Sequence, residues 1–217
     1  MASVQHTEAA GPAIALPTEE PAAATGFSAG DPQILGLPIF VVGSLALAFS
    51  LVGYVPPTAA GIVVPVIFAA TGVGLVISTL WAAGLGQTMV AAVFGLFAGF
   101  WLSFAVLLLG LFHNWFLIPV GASTKSIALF LICWSIVMFA LTLATVRLPI
   151  SYTAVIALVV LALVLRTIGV LNADNSLDKA AGYVAFAFAA LGIYLFLHIA
   201  ETAMGGRGYP LGPPLVK

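Results

Sequence analysis

The chain has 217 residues, of which 63% are hydrophobic and 6% are charged. No water-borne domain of this size can hide that much apolar surface, so the composition excludes a soluble globular protein and makes the bilayer the main solvent. A net charge of −1 offers no attraction to nucleic acid, and a single cysteine, Cys133, excludes an internal disulfide.

Residues 1–30 are rich in Ala, Pro, Thr and Glu, with no positive segment and no apolar run, so they read as a disordered tail rather than a secretory signal. Six apolar stretches follow, each near the roughly 20 residues that cross a hydrocarbon core about 30 Å thick. The first is predicted over 34–53 and is stopped by Pro56-Pro57; the second spans 59–83 and ends at Gly84 and Gly86; the third spans 88–112. A loop over 113–124 carries Pro119 and Gly121. The fourth helix is predicted over 126–146, stopped by Arg147 and Pro149, and the fifth over 150–171. Polar residues 172–179 read as a loop, the sixth helix spans 180–203, and the tail 205–217, with three prolines and four glycines, is expected to be extended. The fold class is therefore an all-α integral membrane protein, with a six-helix domain over 31–204. Uniformly apolar runs of this length are helices, because in lipid each backbone group must be paired within its own segment. An even helix count puts both termini on one side. Arg147, Arg207 and Lys217 against Lys125 and Lys179 favour the cytoplasm by three to two, in a multi-pass protein of the plasma membrane.

Polar chemistry is sparse. There is no helical metal pair, phosphate loop or nucleophile–base spacing, so neither a cofactor nor an enzyme is expected. Gly95 and Gly99, Gly72 and Gly74, and Ala185 and Ala189 read as close helix contacts, with a pore lined by small residues as the alternative. His198 and Glu201 share a helical face, as a proton relay or as a hydrogen-bonded pair at the interface. Arg166 either snorkels to the interface or draws an anion toward a pore. Trp81, Trp115 and Tyr54 fall at helix ends, as in an aromatic belt, whereas Trp101 and Trp134 fall deeper, between helices. Asp31 reads as an N-cap and Pro32 as the first helical residue, leaving a positive helix end for an anion.

The segment Asp31-Pro32-Gln33-Ile34-Leu35-Gly36-Leu37 resembles the Asn-Pro-Ala-Pro-Leu-Gly-Leu signature that opens the first helix of the acetate uptake transporters. Gly99-Phe100-Trp101-Leu102 is similar to that family's Ser-Phe-Trp-Leu, Trp134 through Thr145-Val146-Arg147 to its fourth helix, and Ile193-Tyr194-Leu195 to its sixth. Gly206-Arg207 with Pro210-Leu211-Gly212 resembles its C-terminal tail. The resemblance implies six helices around a narrow pore in each subunit, a homohexamer, and acetate and related small carboxylates as substrate. It assigns Asp31, Pro32, Leu35, Gly36 and Leu37 to the pore mouth. Phe40, Phe97 and Val159, or Leu158 in a register one residue away, fall at an aromatic–aliphatic constriction.

Against the family pattern, Asp31 replaces an Asn, Ile34 a Pro and Phe97 a Tyr. Leu75 and Ala82 stand where the family has a Gln and a Glu in helix two, and Ile199 and Thr202 where it has a Glu and an Asn in helix six. The resulting passage is more apolar. It suits a small dehydrated acid moving with a proton, with Asp31, His198 and Glu201 as titratable candidates, or another small neutral or weakly acidic solute. A transport-inactive structural or partner-binding subunit of the same fold is the second expectation.

Overall fold

The structure is a computed structural model and describes residues 29–217. The tail expected over 1–30 lies outside it, save for Ala29 and Gly30. Six membrane-length helices follow: α1 (Gln33–Leu51), α2 (Pro57–Gly84), α3 (Thr88–Phe112), α4 (Val120–Ala144), α5 (Ile150–Asn172) and α6 (Asn175–Ala203). The protein is thus a multi-pass, all-helical membrane protein.

Helix starts follow elementary capping. Pro32 is helical (φ −58°, ψ −22°), and the Asp31 carboxylate accepts the Gln33 N–H at 2.9 Å. That is the N-cap arrangement expected of Asp-Pro. Two loops are shorter than expected. Helix α4 begins six residues before 126, because Pro119 is extended (φ −59°, ψ 143°) and feeds directly into a helical Val120–Lys125 turn. Helix α6 begins five residues before 180: Ala173 takes the left-handed conformation (φ 52°) to end α5, and the Asp174 side chain caps the Ser176 N–H. The polar residues 175–179, read as loop, are the first turn of a capped helix.

Helix α2 is composite. Pro57–Ile62 is a 3₁₀ turn, and Val66–Gly72 widens to a π-helix directly after Pro65. Proline lacks the N–H and crowds the carbonyl four residues back; a π-turn relieves both.

The helices stand in a ring in the order α3, α2, α1, α6, α5, α4, with α3 and α4 meeting only sparsely. Small residues set the close approaches. A Cβ on Gly182 of α6 would strike Val52, which caps the end of α1, and one on Gly192 would strike Val41 of α1, each at 2.8 Å. With Ala185 and Ala189, both fully buried, they give α6 a flat stripe against α1. The Gly95/Gly99 pair serves two neighbours rather than one interface: Gly95 faces Thr79 of α2, and Gly99 faces Trp134 of α4.

The C-terminal segment lacks helix, as expected, but it is docked. The carbonyls of Leu211 and Pro213 accept the Ser151 and Ile150 N–H groups of the first α5 turn, and the Val146 carbonyl accepts Leu215 N–H and Val216 N–H. The tail thereby pairs donors and acceptors that helix ends leave over.

Candidate functional site

Three cavities run along the interior of the ring. The first, about 190 Å³, lies at the N-terminal end of α1 and is lined by Gln33, Leu37, Val93, Phe94, Leu148 and Tyr152 among others. The second, about 50 Å³, shares Leu37, Val93, Phe94, Leu148 and Tyr152 with it and adds Phe40, Phe97 and Leu195. The third, about 270 Å³, begins again at Phe40 and Phe97 and reaches Leu51, Phe112 and Arg166 toward the opposite end of the bundle.

Phe40 and Phe97 therefore stand between the second and third cavities. Their rings meet edge to face at 4.8 Å, and Phe188 of α6 backs Phe40 at 5.8 Å. Both are 4% exposed. Val159 is buried and lines the third cavity beside them, while Leu158 does not. The predicted trio thus comes together.

The remaining candidates divide. Leu37 lines the two cavities nearest the α1 start. Pro32 and Gly36 are buried and Leu35 partly so, but none of them lines these cavities. Gly36 is required sterically, since a Cβ there would overlap the Phe94 ring. Asp31 holds its own helix end through Gln33, so the N–H at that position is already satisfied. His198 lies away from the passage, and its Nδ1 accepts the Tyr209 N–H at 2.9 Å. Glu201 makes no side-chain hydrogen bond or ion pair among the described residues, so the expected His198–Glu201 pair is not formed. His198 Nδ1 meets the Tyr209 backbone of the docked tail instead.

Arg166 lines the third cavity and forms an ion pair with Asp178 of α6. Asp178 was not singled out from the sequence, because it sits within a stretch read as loop. Its helical placement beside α5 is what brings it to Arg166. Trp101 was expected between helices and is 1% exposed, but it also lines the third cavity, and its indole N–H has no acceptor among the described residues. An orphan buried donor is uncommon and calls for a reason; no sequence pattern distinguishes it from a packed tryptophan. Among the described residues no group of three or more His, Cys, Asp or Glu could hold a metal.

The model of the GPR1/FUN34/yaaH family matches residues 16–208. The chain belongs to the GPR1/FUN34/yaaH family. A solved structure of the bacterial acetate channel SatP superposes with a TM-score of 0.75 at 20% identity, over 85% of this chain and 99% of that one. At that identity the likeness speaks for the fold, a six-helix membrane bundle. No curated protein matches the chain. Within this GPR1/FUN34/yaaH member, Leu75 and Ala82 are fully buried apolar residues where the sequence resemblance called for polar ones. The interior is correspondingly apolar: aromatic and aliphatic side chains dominate all three cavities, with Gln33, Tyr152, Ser50, Trp101 and Arg166 as their polar members.

Proposed function

We propose that the chain moves acetate and related small monocarboxylates across the plasma membrane, through a passage closed at Phe40 and Phe97 in this conformation. The observation that carries the reading is the pair of touching rings set between cavities that lead to opposite ends of the bundle. Membership of a family whose solved relative is an acetate channel supports the substrate class.

The apolar walls favour the uncharged acid. A bare carboxylate at mid-membrane costs several kcal/mol even after relaxation, and a protonated one far less. The solute therefore travels with its proton, and the Trp101 N–H, buried and without an acceptor among the described residues, is proposed as a donor to its carbonyl oxygen. The proposal extends to Leu37 and the α1 start as the mouth, to both termini in the cytoplasm, and to a homohexamer, as the family resemblance implies.

A second reading rests on the same closed rings together with Leu75 and Ala82: a transport-inactive structural subunit. Radiolabelled acetate uptake into proteoliposomes, against protein-free liposomes because acetic acid leaks through lipid, separates the two. Saturable uptake above the control is the expected result. Uptake equal to the control would leave the structural reading standing.

A further inference from the structure

The third cavity is too long for acetate. Arg166 lies seven residues from Val159 along α5, about 10 Å of helix, and the wall between them is apolar: Phe104, Leu108, Leu131 and Leu163 face the space. At about 270 Å³ it approaches the size of small-molecule pockets, which start near roughly 300 Å³. A two-carbon acid would leave most of that wall wet or empty. The guanidinium at its end pairs with Asp178 through Nη1 and stays about a third exposed (32%). A planar fork of five donors that is a third exposed has room for a second carboxylate beside the first.

We propose that this cavity is a binding site for monocarboxylates with an alkyl chain, butyrate through octanoate. The carboxylate sits on the Arg166 guanidinium and the chain lies along Leu131, Leu163 and Phe104 toward Phe97. Such acids occupy the cavity without passing Phe40 and Phe97, whose rings meet edge to face at 4.8 Å. The inference deepens the carboxylate-passage reading and rests on it for the class of ligand; binding is read separately from transport.

The test is calorimetric titration of the protein in lipid nanodiscs, with lipid-only discs subtracted, using acetate, butyrate, hexanoate, octanoate, hexanol and hexylammonium. Burial of each methylene is worth about fourfold in affinity, so Kd should fall stepwise along the acid series. Hexanol and hexylammonium should bind at least about tenfold more weakly than hexanoate, as expected for loss of a charge-assisted hydrogen bond. Arg166→Gln combined with Asp178→Asn removes both charges without stranding either; it should abolish the preference for acid over alcohol and keep the chain-length trend. Leu131→Trp, which fills the cavity, should abolish the trend. A flat acid series, or an acid preference unchanged in the folded double variant, overturns the site. Acetate uptake measured on the same protein keeps the two readings apart. Uptake without hexanoate binding defeats this site and spares transport; hexanoate binding without acetate uptake upholds the site and defeats transport.

Discussion

Phe97 and Trp101 lie one turn apart on α3 and so share a face, yet they hold different positions toward a passing solute. Phe97 closes on Phe40, so its removal should join the 50 and 270 Å³ cavities. Phe97→Ala is expected to raise propionate and lactate uptake relative to acetate several-fold, while lowering stability by about 3–5 kcal/mol, the range for truncating a buried phenylalanine. Unchanged size selectivity in proteoliposomes would remove Phe97 from the constriction. Trp101 presents the opposite case. Its N–H has no acceptor among the described residues, so Trp101→Phe deletes an unsatisfied donor and should change the melting temperature little. If that donor serves the solute, acetate uptake should fall by up to about tenfold, the equivalent of one hydrogen bond of about 0.5–1.5 kcal/mol. Equal uptake by Trp101→Phe and the native protein would make the indole purely a packing group.

Helix ends explain most of what the sequence left illegible. The six apolar runs announced six helices, and 88–112 agreed to the residue, because length and hydrophobicity alone fix a membrane span. The trio Phe40, Phe97 and Val159 was legible only through family resemblance, since buried phenylalanines carry no positional signature. Errors arose where polar residues turn out to be helical: Ser123, Thr124 and Lys125 in the first turns of α4, and Ser176, Asp178 and Lys179 in that of α6. The docked tail was unreadable because backbone groups hold it, and any sequence has those. Its energetic role can be tested by removing residues 210–217. That deletion strips the acceptors from Ile150 and Ser151 and the donors from Val146, each bond being worth roughly 0.5–1.5 kcal/mol. A clear drop in melting temperature is expected, and an unchanged melt would mean that water replaces the tail at no cost. The α5–α6 turn offers the reverse experiment. Ala173 sits at φ 52°, where a non-glycine residue is strained by about 1–2 kcal/mol. Ala173→Gly should raise the melting temperature modestly, because relief of strain exceeds the added freedom of the unfolded chain.

At the scale of the whole molecule the passage can be treated as a solvent. Its walls combine two aromatic rings in contact with long aliphatic surfaces, and Arg166, the one cation that lines these cavities, is already paired with Asp178. Such a path discriminates by protonation before it discriminates by shape: the carboxylate form pays the desolvation cost, and the neutral acid does not. None of Asp31, His198 and Glu201 lines the three cavities, so the pH dependence should belong to the solute rather than to a protein group. Above the pKa of the acid, the protein-dependent part of acetate uptake at fixed total acetate should therefore fall about tenfold for each pH unit, in proportion to the protonated fraction. A variant with His198→Gln and Glu201→Gln should show the same slope. The measurement is initial uptake into proteoliposomes across a pH series, with the protein-free leak subtracted at each point. A rate that stays level with pH would mean that the anion itself crosses, and the passage would then need a polar lining that these walls do not offer. A slope that changes in the double variant would instead return the proton to the end of α6, beside the docked tail.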